Sequence, residues 1–580
     1  MRVPPVPVIF ALILSTPAAS AGVIHVPGDY GTIQEAINAA QDDDLILVAP
    51  GTYVETINFL GKAIEVRSDG DADPLTVDLD VTNTIIDGNQ AGSVVSFVNG
   101  ETRDAIVMGF TIRNGLSDWG GGILCSDSSP TISVNTITQN QARLSGGGID
   151  VWRGQPRIQG NLIARNSARA TLGQAFGGGI NLSEGGGRIL DNTITENEAY
   201  GPDAGRGAGI CVEKSPVVIE RNVITGNVAS YGGAGGIQAL APVSGLRILA
   251  NLIERNVGSH GAGLFIAGSG SGSPHVSLNV IAGNQTTTAA DAVGGGVLCA
   301  GSSPLFETNL IVENWSQNGG GGLSCLAGGD ATLRDNTIAG NVASALAGGG
   351  LHVQGSSVTL ENGILWGNRA PTGAQVCLEN GAALSIDYSD VEGGPALVHV
   401  DGTSTLTWGA GMIDADPRFT DAPNGSFDLR ATSPCVDTAD PADRPGGHDV
   451  AGNPRLLDGD LDRGMVLDMG ACEFDHVHLA ASGDFTPGGR VTIETSGTAG
   501  LELLLFVGTT GGELMCDPYG SLFQTLCSPF LVIHWGQIPD TKSRTIPAVS
   551  TPLSICLQVL AYDAATMAGN FSNDLTLGIE

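Results

Sequence analysis

Between residues 120 and 368 one short pattern returns nine times, and no other property of the chain restricts its fold as severely. Each unit opens on a glycine-rich triplet followed by an aliphatic residue: GGGILC (120–125), GGGIDV (146–151), GGGINL (177–182), GAGICV (207–212), AGGIQA (234–239), GAGLFI (261–266), GGGVLC (294–299), GGGLSC (320–325) and GGGLHV (348–353). About 28 residues make one unit. An N-x-I-x-x-N string follows each triplet, as in NTITQN (135–140), NLIARN (161–166) and NVITGN (222–227). Aligned on the first Asn, isoleucine stands two places on in every unit: Ile137, Ile163, Ile194, Ile224, Ile253, Ile281, Ile311, Ile338 and Ile364. The second Asn recurs in eight, and in the ninth, NGILWGN, Asn368 comes one place late.

A column of identical β-branched residues means a side chain stacked on its own copy in the next unit. Asn tolerates the left-handed backbone of a sharp turn, and its amide can bond the same amide one repeat away, about 4.8 Å off when strand lies on strand. The second Asn is therefore read as an asparagine ladder at a coil corner. Strands are short and bounded by Gly or Asn, and no helical period survives through a unit. After each triplet the pattern runs inward, outward, inward, as in Ile149, Asp150, Val151. These features predict an all-β chain built as a parallel β-helix solenoid. The longer units gain their residues between the second Asn and the next triplet, so variable loops leave one corner, where a binding surface can grow. A solenoid must hide its ends. Thr32-Ile33-Gln34-Glu35 reads as a capping box opening a short helix, with Ile33, Ala36, Ile37 and Ala40 on the face that plugs the first coil.

The segment IHVPGDYGTIQEAINAAQDDDLILVAPGTYVETI (24–57) resembles the opening of extracellular proteins with the right-handed β-helix of the pectin-lyase type. With the repeats, the resemblance covers roughly residues 23–400 and implies right-handed winding and export. DADPRF (414–419), SPCVDTAD (433–440), DVAGNPR (449–455) and DMGACEF (468–474) resemble the closing segment that precedes anchoring modules in bacterial surface proteins, the choice-of-anchor type. The triplet and Asn pattern is also similar to that of polymorphic membrane adhesins. None of these resemblances implies a reaction, because the fold hosts lyases, hydrolases, epimerases and adhesins alike.

The chain divides into a signal peptide (1–21), the right-handed parallel β-helix (22–404), its closing segment (405–474) and a small C-terminal β-sandwich (475–580). The signal reading rests on Arg2, the apolar run Val6–Leu14 and the A-x-A site Ala19-Ser20-Ala21. No later stretch is apolar for long enough to cross a membrane, so the mature chain is expected to be secreted from a bacterium or held at its surface, as a monomer. With 26 Lys+Arg against 60 Asp+Glu, the formal charge of −34 opposes nucleic acid as a partner. A polysaccharide or cell-surface glycan is the expected partner, and Ca²⁺ the one cofactor the sequence offers.

The outward columns contain the candidate chemistry. Asp150, Asn181, Cys211 and Gln238 stack in one column, Trp152, Ser183 and Glu213 in the next, and Arg153, Glu184 and Lys214 in a third. In the functional reading this patch is a saccharide groove. Trp152 stacks on a pyranose with Asn181 and Glu184 beside it. Asp150 or Glu213 acts as acid/base or Ca²⁺ ligand, and Arg153 or Lys214 as base or carboxylate clamp. In the plainer reading the third column is a plus-minus-plus surface ladder. Two functions follow: a glycan-binding or adhesive β-helix, and a polysaccharide lyase or related uronan-active enzyme. The paired aspartates and Gly-His-Gly element of polygalacturonases are not found; SHGAG at His260 is the nearest string. DGDLDRG (458–464) places Asp458, Asp460 and Asp462 like the start of a Ca²⁺ loop, although Arg463 stands where such a loop has Gly. Cys435 and Cys472, and Cys516 and Cys527, are the expected disulfides. Cys299 and Cys325 fit either a bridge or stacked core thiols. No C-x-x-C pair is present, so these cysteines are not read as metal ligands. His352 reads as an exposed outward residue.

Overall fold

A computed structural model describes residues 22–69, 83–268, 272–443, 447–453, 455 and 466–474, and backbone strands between 477 and 579. The second repeat unit shows how a coil is made. Its triplet leads into the strand Ile149–Trp152, and Arg157–Gln159, Leu162–Ala164 and Ser167–Arg169 follow, joined by tight corners. Copies of these four strands stack into parallel sheets of 13, 15, 13 and 11 strands. In coil order these are the triplet sheet, the long sheet, the isoleucine sheet and the lateral sheet. The chain is a parallel β-solenoid.

Register follows the repeat. Ile137 pairs with Ile163, and the column continues through Ile194, Ile224, Ile253, Ile281, Ile311 and Ile338, all fully buried. The ninth coil differs from the expectation. Ile364 pairs with Thr337, and Leu365 takes the core position opposite Ile338. The late asparagine is therefore no local irregularity: the whole strand has slipped by one residue, which turns each side chain to the other face and brings Asn368 into line with Asn341.

Glycine is required at two positions of the triplet. Gly146 takes φ +64°, in the left-handed region, and a Cβ on Gly148 would stand 2.6 Å from the carbonyl oxygen of Gly179 in the next coil.

The structure contains two asparagine ladders. One runs from Asn140 to Asn368, as read from the sequence, and a second, from Asn135 to Asn336, follows the first Asn of the string. In the middle of the first ladder, Asn227 Nδ2 donates to Asn256 Oδ1 at 3.0 Å and to the carbonyl of Ile194 at 2.9 Å. Its Oδ1 accepts from both the backbone N–H and Nδ2 of Asn197 at 3.0 Å. Each buried amide is thus fully used. That ladder ends where Asn368 Nδ2 donates to Gln375 Oε1 at 2.7 Å, and Gln375 Nε2 to Glu392 Oε2 at 2.6 Å.

At the N-terminal end, Thr32 and Glu35 form the reciprocal capping box of the helix Ile33–Ala39, which buries Ile33, Ala36 and Ile37. Lys62 Nζ closes its other end by donating to the carbonyls of Ile37, Asn38 and Ala40. At the far end the stack runs past residue 404, to Thr405–Trp408. The chain then turns back over the outer face of the isoleucine sheet. Phe427 and Ala471 cover Leu310, Val312 and Ala339, while Leu429, Val436, Leu467 and Met469 enclose Ile364. Arg455 is buried between Asp335 Oδ2 (3.3 Å) and Glu473 Oε1 (2.9 Å).

The expected Cys435–Cys472 disulfide is absent: both are buried free thiols. Cys435 Sγ instead donates to Asp390 Oδ2 at 3.3 Å, and Cys472 lies beside Asp428. Cys299 and Cys325 are register neighbours and also free. The signal peptide, Asp458, Asp460, Asp462 and the Cys516–Cys527 pairing lie outside the described residues. The strands beyond 477 pair antiparallel, in one sheet of three and one of five with a two-stranded piece.

Burial pushes the Asp390 carboxyl up to about 6, against hydrogen bonds from the Ala415 N–H and the Cys435 thiol. A folded-state value above the unfolded one means stability that is full at low pH and is lost as pH rises through about 6. Asp390→Asn is therefore expected to leave stability at pH 4 nearly unchanged and to raise it above pH 7 by on the order of 3 kcal/mol. Urea unfolding at the two pH values checks this; equal effects at both would contradict it.

Candidate functional site

Strand alternation sends Ile149 and Val151 into the core and turns Asp150 and Trp152 to the other face of the triplet sheet. The residues inserted between the second Asn and the next triplet form strands of their own, Leu116–Trp119, Gln141–Ser145 and Gln174–Phe176, which join the lateral sheet and rise beside that face. Between the two sheets lies a groove of about 620 Å³. Trp119, Trp152, Leu124, Leu144 and Phe176 give it apolar walls, and Asp150, Asn181, Glu213, Ser145, Ser183 and Gln174 give it polar groups.

The predicted columns are present in register: Asp150 with Asn181 and Cys211, and Trp152 with Ser183 and Glu213. Their exposure differs from expectation. Asp150 is 4% exposed and Asn181 7%, because the lateral strands cover a column that the repeat alone leaves outward. Asp150 Oδ1 accepts from Ser145 Oγ at 2.7 Å and from Asn181 Nδ2 at 2.9 Å. Burial raises its pKa, and these two hydrogen bonds oppose the rise. Cys211, next in the column, is fully buried, and its thiol is pushed up to about 12.

The third column separates from the groove. Arg153, Glu184 and Lys214 all take left-handed backbone at the ends of their strands. Arg153 Nε lies 3.2 Å from Glu184 Oε2, and Lys214 Nζ 3.3 Å from Glu213 Oε1. The Arg153 guanidinium also covers one face of Trp152, 3.9 Å from the ring centre. Both cations are thus engaged, and neither lines the groove.

Trp119, 52% exposed, was not among the predicted site residues. It immediately precedes the first triplet, and the same place in later coils holds Ser145, Phe176 and Arg206, which stack in register. The residue before each triplet is the position that would have revealed it.

Sheets, columns and ladders together define the class, a parallel β-helix with a groove along its flank. Residues 62–241 and 171–338 match the family model described as the right handed beta helix region. Among solved structures, the crystal structure of the Acinetobacter phage vB_ApiP_P1 tailspike protein aligns over 96% of this chain and 79% of its own, with 12% identity and a TM-score of 0.24. No curated protein matches the sequence. Among the described residues, no helix is long and apolar enough to cross a membrane.

Proposed function

We propose that this chain is an exported bacterial β-helix protein that binds polysaccharide in the groove beside coils one to four and does not cleave it. The observation that carries this reading is the pairing of two exposed indoles, Trp119 and Trp152, with a row of hydrogen-bonding side chains in one cleft. An indole stacks on the apolar face of a pyranose while amides and carboxylates take its hydroxyls. Arg153 holds Trp152 from one side, so the indole is pre-oriented. The acidic chain, with −34 formal charge, favours neutral or basic glycans over polyuronates. Cleavage by β-elimination needs a free base beside the sugar; Arg153 and Lys214 are in ion pairs outside the groove, Glu213 is paired with Lys214, and Asp150 is buried and accepts from Ser145 and Asn181.

A glycan array probed with the mature chain tests this. Binding to a restricted set of polysaccharides is expected, with Trp152→Ala and Trp119→Ala each weakening it by about tenfold. Binding unchanged in the double variant would exclude the groove. Incubation with pectate, alginate and glycosaminoglycans plus Ca²⁺ is expected to give no unsaturated product. Product that disappears in Arg153→Ala or Lys214→Ala would replace this reading with the lyase.

A further inference from the structure

The column that holds Asp150 and Asn181 in the second and third coils continues to the far end of the triplet sheet, where it carries His352, Cys377 and His399. Glu379 stands two residues beyond Cys377 on the same strand, Val376–Glu379, with its side chain on the same face. One imidazole nitrogen, the thiol sulfur and one carboxylate oxygen come within 4.8 Å of one another. His352 is not the exposed residue that its place in the repeat suggests. It is nine-tenths buried, and its ring fits only because residue 319 is glycine: a Cβ there would stand 2.4 Å from Nδ1. Nδ1 has no hydrogen-bond partner, and Nε2 reaches Glu379 Oε2 at only 3.4 Å. Among the described residues no Lys or Arg pairs with Glu379.

We propose that His352, Cys377 and Glu379 form a binding site for one divalent transition-metal ion, with Zn²⁺ the best match. One imidazole nitrogen, one thiolate and one carboxylate are a borderline-soft set that suits Zn²⁺ far better than Ca²⁺ or Mg²⁺. In the metal-free chain His352 Nε2 and the Cys377 thiol both turn to the Glu379 carboxylate, and a bound cation takes the place of the protons they share with it. The half-exposed side of Glu379 leaves room for a fourth ligand from solvent. Bound there, the ion ties the ninth coil to the tenth, so its uptake is coupled to the stability of that end of the solenoid.

Titration of the metal-free full chain with Co²⁺ tests the site, since its absorption reports both tetrahedral coordination and a thiolate ligand. The wild type is expected to take up one equivalent with a thiolate band, to release it to Zn²⁺, and to show a higher thermal midpoint with Zn²⁺. Cys377→Ser should abolish the band and the shift in midpoint, whereas Cys325→Ser should retain both. Glu379→Gln should weaken uptake and reduce the Zn²⁺-induced rise in midpoint, measured against the metal-free midpoint of the same variant. No thiolate-bearing complex in the wild type, or wild-type uptake in both Cys377→Ser and Glu379→Gln, would overturn the proposal.

Discussion

Arg455→Met will lower the stability of the chain by about 3–5 kcal/mol at pH 8, the cost of leaving buried charge without its partner. Asp335 and Glu473 both face the Arg455 guanidinium, and Asp449 and Asp468 are buried nearby. Burial raises the pKa of Asp335 to about 6 even with the arginine in place, and raises that of Glu473 against the same attraction. Without the guanidinium these carboxyls hold their protons still more tightly. Raised folded-state values give stability that is present at low pH and lost on the way up, so the defect should be smaller at pH 5 than at pH 8. Urea unfolding at both values, with limited proteolysis of residues 419–474, checks the sign and the place. A loss below 1 kcal/mol at pH 8 would mean that the returning segment is held by its apolar contacts alone.

Asn227→Ala should cost a comparable amount, about 3–6 kcal/mol, although it removes only an amide. The backbone N–H of Asn197 loses its acceptor and the carbonyl of Ile194 a donor, while Asn197 Nδ2 keeps only the Ile163 carbonyl and Asn256 Oδ1 only the backbone N–H of residue 227. Each buried group left without a partner costs about 1–3 kcal/mol. Asn227→Asp should be little better, because a carboxylate can accept from Asn197 but cannot donate to Ile194 or Asn256. In a solenoid each coil contacts only its neighbours, so a break in the middle is expected to split urea unfolding into two stages. A single transition at the wild-type midpoint would contradict both statements.

How far the sequence can be read depends on what repeats. The isoleucine column, the corner asparagines and the Asp150 and Trp152 columns were legible because a single 28-residue alignment fixes them all at once. The burial of Asp150 was not, since the lateral strands that cover it come from insertions of differing length with no common pattern. Isoleucine at position 364 also misled: identity of residue type suggested the core column, yet the slip to Leu365 serves the segment around Met469, which needs an apolar side chain on the outer face. The second ladder is carried by the first Asn of each string, which is as constant in the sequence as the corner Asn. The thiols at 435 and 472 are free because each faces a carboxylate, Asp390 and Asp428, that no sequence motif marks as its partner.

The termination of the first ladder at Glu392 bears on assembly. Every side-chain amide in that row donates toward the next coil and accepts from the previous one. The row is therefore a chain of aligned dipoles, each polarising its neighbour, with the positive end toward the C-terminus. Gln375 and the Glu392 carboxylate sit at that positive end, as an acidic residue sits at the start of an α-helix. A negative charge there leaves no amide donor free to recruit the first coil of another molecule. The same stacking that extends the array is thereby halted, and head-to-tail growth into a fibre is discouraged by electrostatics.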